Sequence, residues 1–265
     1  MAHVDQVVLI SIDGLRPDGL QKANTPHIDG IYGNGASTYE ARTVMPSSTL
    51  PCHTSMFRGV VPERHGITTN TWVPQVRPIP SIIDVVHQEG LKTRAFYNWE
   101  QLRDLSDPGS LNSSYFANNC DQPAGDLLIA EQAARSIKDD DKPGFTFVYL
   151  GHTDVEGHNS GWMSEPYIEA IGNADRAIGI VLSELDKDRT AVLVTSDHGG
   201  HGMTHGTDSP EDMTIPWGMC GPGIVECELN DRVAIIDTPA TIADLLGIPI
   251  AADWVGKSVQ SILPT

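Results

Sequence analysis

The chain predicts an α/β fold, a three-layer α/β/α sandwich around a mostly parallel central sheet, and three observations carry that prediction. Apolar runs of strand length alternate with longer segments of helical period, the pattern of strands returned to one sheet by crossover helices. The runs are rich in Val, Ile, Leu and Phe, as expected for a sheet buried between helices. Three of them lead into an aspartate, at Asp13, Asp154 and Asp197, and open α/β sheets gather their polar groups at the carboxyl ends of their strands.

In chain order, the strand candidates are residues 6–12, 92–97, 145–150, 190–196 and 213–219, and the clearest helices are about 80–89, 124–138, 164–186 and 238–246. Helix 124–138 has Asp126, Leu127, Leu128, Ile129, Ala130, Ala133, Ala134 and Ile137, an apolar stripe with a polar back. Helix 164–186 opens after Ser164 with Glu165-Pro166, an acceptable cap followed by a first-turn proline. Between residues 98 and 123 the chain turns polar and rich in Asn, Asp, Ser and Gly, which predicts a surface loop or small lid. There is no internal repeat or low-complexity tract, so residues 1–265 are expected to form a single domain with that one loop-rich insertion.

Composition bounds the function. With 40% hydrophobic and 20% charged residues over 265 positions, the chain can bury a sizeable core as an ordinary globular protein. A formal net charge of -18 argues against a nucleic-acid polymer as partner, because everything except a locally positive site repels a polyanion. The four cysteines, Cys52, Cys120, Cys220 and Cys227, contain no C-x-x-C pair and read as free thiols of a reducing compartment. Met1 to Asp5 lead straight into the first strand with no basic start or export-type apolar stretch, and no run reaches transmembrane length. A cytoplasmic protein without membrane contact is the expectation.

The chemistry-bearing residues cluster. The run Val192-Leu193-Val194-Thr195 ends in Ser196-Asp197-His198-Gly199-Gly200-His201-Gly202-Met203-Thr204-His205-Gly206, where Asp and neutral His suit zinc or manganese and the glycines allow a tight turn. Asp13, Asp154, Asp197 and His198 all fall at strand ends that should converge. A second segment, Thr43 to Gly59, places the hydroxyls of Ser47, Ser48 and Thr49 before a helical stretch. Unpaired N–H groups at a helix start favour a negative oxygen. Thr49 can be a simple N-cap there, and it can also touch a divalent ion that activates it as a nucleophile.

Taken together, several segments resemble the alkaline phosphatase superfamily, and within it the type I phosphodiesterase and nucleotide pyrophosphatase branch. They are Ile10-Ser11-Ile12-Asp13-Gly14-Leu15-Arg16-Pro17-Asp18, Asn24 to Ile28, Ser48-Thr49-Leu50-Pro51-Cys52-His53, Gly59 to Asn70, Ser196-Asp197-His198-Gly199, Asp237 to Ile248 and Gly256-Lys257-Ser258. They follow the family's order and span nearly the whole chain. The resemblance implies an alkaline phosphatase-like core with a small or absent cap, and two divalent metal ions, zinc or alternatively manganese. One ion would be held by Asp13, Thr49, Asp197 and His198. Asp154, His158 and His205 would hold the other, with His201 and His152 as nearby competitors of His205. His205 is preferred because in the family the third histidine precedes a glycine shortly before the strand matched here by Thr214-Ile215-Pro216-Trp217; its short separation from His198 departs from the larger family members.

The same resemblance implies that Thr49 is the nucleophile, forming a covalent phosphoryl or nucleotidyl enzyme, and that Asn70 donates to a non-bridging phosphate oxygen. The expected activity is hydrolysis of phosphodiester or nucleotide pyrophosphate bonds in a small-molecule phosphate ester. Phosphonoacetate hydrolysis, with a phosphonate substrate, and phosphomonoester hydrolysis are the alternatives on the same site. A catalytically silent, metal-stabilised ligand-binding domain is the alternative of another class. Trp72, Tyr97, Trp99, Tyr115, Phe116 and Trp162 are candidates for stacking on a base. Without metal, three buried carboxylates would repel and raise one another's pKa.

Overall fold

The apolar runs form one sheet in the computed structural model, which describes residues 3–139, 144–230 and 232–263. In chain order its elements are β1 (Gln6–Ile12), α1 (Pro17–Lys22), α2 (Pro26–Gly33), β2 (Ala36–Arg42), α3 (Thr49–Arg58), α4 (Pro62–His65), α5 (Ile82–Gln88), β3 (Lys92–Tyr97), β4 (Ser113–Phe116), α6 (Pro123–Asp139), β5 (Gly144–Leu150), α7 (His152–Ser160), α8 (Glu165–Leu182), β6 (Thr190–Thr195), α9 (Pro210–Met213), β7 (Thr214–Cys220), β8 (Cys227–Glu228) and α10 (Thr238–Leu245). The eight strands lie in the order β4-β3-β5-β1-β6-β7-β2-β8. Pairing is parallel from β4 across to β6, antiparallel on both sides of β7, and parallel again between β2 and β8.

All seven residues of β1 are buried, because the sheet is covered on both faces. Val7 and Leu9 join one core with Met56 and Phe57 of α3, Ile82 of α5 and Ile242 of α10. Val8, Ile10 and Ile12 point the other way, onto Ile129 and Ala133 of α6 and Tyr167 and Ile171 of α8. Each such aliphatic side chain contributes roughly 1.5–3 kcal/mol when fully buried. The helix starts follow local chemistry: the Ser164 hydroxyl accepts from the Tyr167 N–H with Pro166 in the first turn, and Ser81 and Asp84 form a reciprocal capping box on α5.

Several elements differ from the sequence reading. Helix α8 stops at Leu182, short of residue 186. Within 98–123, read as a loop or lid, β4 extends the main sheet by pairing in parallel with β3, so part of that segment is sheet edge. β2 and β8 also lie outside the strand candidates. The sequence of β2, ASTYEAR, is mixed in polarity and its burial alternates only partly. Thr49 is the first residue of α3 and Ser48 occupies the N-cap position, so the Thr49 side chain does not act as the cap. Among the described residues no helix is long and apolar enough to cross a membrane.

Register brings the polar ends together. Ile12 lies opposite Leu150 and Ser11 opposite Thr195, so Asp13, Gly151 and Ser196 leave the sheet at one edge. β7 runs the opposite way and starts at that edge, with Thr195 opposite Trp217. β2, antiparallel to β7, delivers the chain through residues 43–48 to the start of α3 at the same edge.

Candidate active site

Asp13 is fixed as β1 ends. Its N–H donates to the Leu150 carbonyl at 3.0 Å, and its Oδ2 accepts a hydrogen bond from the Tyr149 hydroxyl. Gly14 then takes φ +67, and a Cβ there would sit 3.0 Å from Asp154 Oδ1, so this turn needs glycine on both counts. The Gly14 N–H donates to Asp197 Oδ1 at 3.2 Å, tying the ends of β1 and β6. His198 Nε2 lies 3.3 Å from each of three oxygens, Asp13 Oδ1, Asp197 Oδ2 and Thr49 Oγ1. Asp13, Thr49, Asp197 and His198, placed together from sequence, therefore surround one buried point.

A second group adjoins the first. Asp154 and His158 sit one turn apart on α7, with His158 Nε2 3.5 Å from Asp154 Oδ2. His205 Nε2 lies 3.7 Å from Asp154 Oδ1. Donor atoms of Asp13, Asp197 and His198, and of Asp154, His198 and His205, fall within 4.8 Å of one another in each trio, so His198 is common to both. His158 reaches the second trio through Asp154 and is the most open member, its side chain 42% exposed. The competitors of His205 are engaged elsewhere. His201 donates from Nδ1 to Asp212 Oδ1 at 2.7 Å, and His152 donates from Nδ1 to the Cys120 carbonyl at 3.1 Å.

The donor set fits divalent cations. His198, His205 and His158 each place Nδ1 on a backbone carbonyl, of Gly199 at 2.8 Å, Ser47 at 2.8 Å and Met203 at 3.0 Å. These bonds assign the ring proton to Nδ1, and the Nε2 lone pair of each ring is left facing carboxylate oxygens. Asp13 Oδ1, Asp154 Oδ1 and Asp197 Oδ2 are buried with no hydrogen-bond partner among the described residues. Lone pairs aimed at orphaned carboxylate oxygens are mutually repulsive unless a cation stands between them. Burial first, then the charges of Asp197 and Asp154, push the Asp13 carboxyl well above the usual range. Burial and the neighbouring His198 push His205 down to about 3.

A cavity of about 230 Å³ opens onto these groups, with Thr49, Asn70, Trp99, Tyr149 and Asp154 in its wall. Asn70 Oδ1 accepts from the Leu50 N–H in the first turn of α3 at 3.0 Å, which leaves its NH₂ as a donor. Among the described residues no lysine or arginine lines the cavity. Of the aromatic candidates only Trp99 is in its wall; Tyr97 and Phe116 stack on each other and Trp72 lies beneath the Arg58 guanidinium.

Tyr149 and His53 are the supporting residues that sequence reasoning missed. Tyr149 sits in a wholly apolar run and reads as core. His53, fully buried on α3, donates from Nδ1 to the Thr49 carbonyl at 2.8 Å and lies 3.4 Å from Asp197 Oδ2, while its Nε2 is 2.9 Å from the Ser11 hydroxyl. Its place one turn after Thr49 was the only available signal.

Sheet order and overall structure define an alkaline phosphatase-like fold. The structure is similar to that of the alkaline phosphatase PafA, with a TM-score of 0.83 at 14% identity over 100% of both chains. It is also similar to human ectonucleotide pyrophosphatase/phosphodiesterase 5, with a TM-score of 0.83 at 16% identity over 98% of this chain and 100% of that one. The family model described as type I phosphodiesterase / nucleotide pyrophosphatase matches residues 7–83 and 80–213, and the chain belongs to that family. Ectonucleotide pyrophosphatase/phosphodiesterase family member 3 of Mus musculus is 28% identical over 218 residues, 73% of this chain and 24% of the mouse protein. An uncharacterized pyrophosphatase/phosphodiesterase of Schizosaccharomyces pombe is 26% identical over 222 residues, 44% of its length. The chain thus spans about a quarter of the mouse relative and under half of the yeast one.

Proposed function

We propose that the chain is a two-metal phosphoesterase that cleaves phosphodiester or nucleotide pyrophosphate bonds in small molecules through a covalent intermediate on Thr49. The observation that carries this reading is the convergence of Thr49 Oγ1 with the orphaned oxygens of Asp13, Asp154 and Asp197 around His198. Asp13, Thr49, Asp197 and His198 would hold one divalent ion and Asp154, His158 and His205 the other, zinc or alternatively manganese; such ions supply Lewis acidity and a nucleophile deprotonated at neutral pH.

The chain's own residues do the rest. Thr49, at the start of α3, presents its hydroxyl where N–H groups and the helix dipole favour phosphate oxygens. Its Oγ1 attacks phosphorus as the bond to the leaving oxygen breaks, and water then hydrolyses the threonyl ester. The Asn70 NH₂ donates to a non-bridging oxygen. The absence of lysine and arginine from the cavity wall suits a diester monoanion better than a monoester dianion. Among the relatives, murine ectonucleotide pyrophosphatase/phosphodiesterase 5, in an inactive form, was solved in complex with AMP, which supports a nucleotide-like substrate here. A cytoplasmic setting is part of the proposal, supported by the unpaired thiols of Cys52, Cys120, Cys220 and Cys227.

The test is turnover of bis-p-nitrophenyl phosphate, p-nitrophenyl phosphate and phosphonoacetate by zinc- and manganese-loaded protein, with Thr49→Ala in parallel. Preferred cleavage of the diester, abolished in Thr49→Ala with metal still bound, is the expected result. Stoichiometric metal without turnover of any substrate would establish a silent binding domain, and an active Thr49→Ala would remove the nucleophile assignment.

A further inference from the structure

We infer that Asp126 is a positioning residue that sets the Asp154–His158 pair by capping α7 from outside the helix. α7 begins without a side-chain cap of its own, since its N-cap residue is Gly151. A substituent at Gly151 would be crowded, with a Cβ 2.8 Å from the Cys120 Cβ and 2.9 Å from the Tyr149 ring. Asp126, fully buried in the first turn of α6, supplies the missing acceptor: its Oδ1 receives the Gly151 N–H at 3.1 Å and the His152 N–H at 3.4 Å. The same oxygen accepts from Asn98 Nδ2 at 2.8 Å, and Asn98 Oδ1 in turn accepts from the Gly151 N–H at 3.2 Å.

Burying a carboxylate is costly, and Asp126 Oδ2 has no hydrogen-bond partner among the described residues, so simple packing does not account for the residue. Two effects do. A negative charge at the amino end of α7 opposes the positive end of the helix dipole. The bonds to Gly151 and His152 also fix the first turn, where Asp154 is the third residue and His158 follows one turn on. A shift of that turn would move both side chains relative to His205, while Asp13, Asp197 and His198 hang on other strands. The inference rests on the two-metal reading, and it assigns Asp126 to one half of that site only.

The fold contains its own control. Asp175 on α8, 2% exposed, caps α2 in the same way, its Oδ1 accepting from the His27 N–H at 3.0 Å and the Ile28 N–H at 2.8 Å, and α2 carries no site residue. Zinc binding to the full chain, titrated by competition with a chromogenic chelator, separates the cases. Asp126→Asn and Asp126→Ala are expected to weaken one of two binding steps about 10-fold, the low end of the effect of losing a group bonded directly to a metal ligand, because Asp126 acts one step removed through the α7 backbone, and to leave the other unchanged. Asp175→Asn is expected to leave both steps unchanged. Should Asp126→Ala fail to fold, Asp126→Asn and Asn98→Ala carry the same comparison. Two unchanged steps in folded Asp126→Asn and Asn98→Ala, or an equal loss in Asp175→Asn, would overturn the positioning role while leaving the two-metal reading intact. Wild-type protein that binds no zinc or manganese would remove both.

Discussion

His198 and His205 stack face to face, their ring centroids 3.9 Å apart and their planes 17° from parallel. The stacked rings turn their Nε2 atoms to different carboxylates, His198 toward Asp13 and Asp197 and His205 toward Asp154. Each ring is held at its Nδ1 by a carbonyl from a different segment, His198 by Gly199 and His205 by Ser47. The Ser47 hydroxyl also donates to the Thr207 carbonyl at 2.6 Å, so the segment before Thr49 carries the loop that delivers His205.

The two nearby histidines should therefore behave differently. His205→Ala is expected to lose one of two bound metal ions and to lower diester turnover by about 100-fold or more, since the effect should exceed that of an outer-shell change. His201→Ala removes the side-chain bond to the buried Asp212 carboxylate, at a cost of about 1.5–3 kcal/mol in stability, with metal stoichiometry unchanged. Metal analysis and thermal unfolding of the two variants check both statements.

Removing metal should loosen the whole protein as well as silence the site. Asp13, Asp154 and Asp197 would be left with buried, unpartnered oxygens in mutual repulsion. At a free metal concentration 100 times Kd, binding stabilises by about 2.7 kcal/mol. For a chain of this size that corresponds to a Tm lower by very roughly 5–10 °C after chelation. Calorimetry with and without chelator, followed by readdition of zinc, measures it; an unchanged Tm would argue against a metal-dependent fold.

Legibility in the sequence followed the physics of each element. β1, β5 and β6 were readable because burial on both faces demands unbroken apolar runs. β2 was not, because a strand of mixed polarity lacks such a run, and β4 was hidden in polar sequence because its residues are mostly exposed at the sheet edge. The residues proposed as metal ligands were readable because Asp13, Asp197 and His198 closely follow strands and Thr49, Asp154, His158 and His205 stand around them in a family's known order. Their supports were not: Tyr149, His53 and Asp126 act through contacts between residues far apart in sequence, such as Tyr149 with Asp13 and Asp126 with Gly151. His205 was preferred over His201 through the family resemblance, and the ring bonds add the physical reason: His201 is tied to Asp212, while His205 turns Nε2 to Asp154.

Asn70 offers a sharper test of the phosphate-binding geometry. Its carbonyl is committed to the Leu50 N–H, so Asn70→Asp keeps that acceptor and deletes only the donor facing the cavity. Loss of one such donor typically costs about 10²–10³-fold in kcat, and the added negative charge should place Asn70→Asp at the upper end. Asn70→Ala also releases the α3 N–H and should lower stability by about 1 kcal/mol. Steady-state kinetics on the diester, with Thr49 and the metals intact, distinguish this from a binding defect: kcat should fall more than KM rises.

His65 should make the protein acid-sensitive independently of the metals. The ring is buried on α4, accepts the Ile67 N–H on Nδ1 at 3.1 Å, and has Nε2 2.9 Å from the Ser55 hydroxyl, a pattern that needs the neutral form. Burial first and the buried Arg58 guanidinium second push its pKa down to about 4. Between that value and the ordinary one near 6.5 the unfolded chain binds the proton and the folded chain does not, so stability rises with pH across this window. The contribution is complete above the upper value and is lost as the pH falls toward the lower one, by an amount of the order of 3 kcal/mol at most. Urea unfolding of wild type and His65→Gln, both kept in chelator from pH 7 to pH 4, isolates it. The wild-type curve should fall more steeply than the variant's across the window, and parallel curves would mean that His65 is not the source.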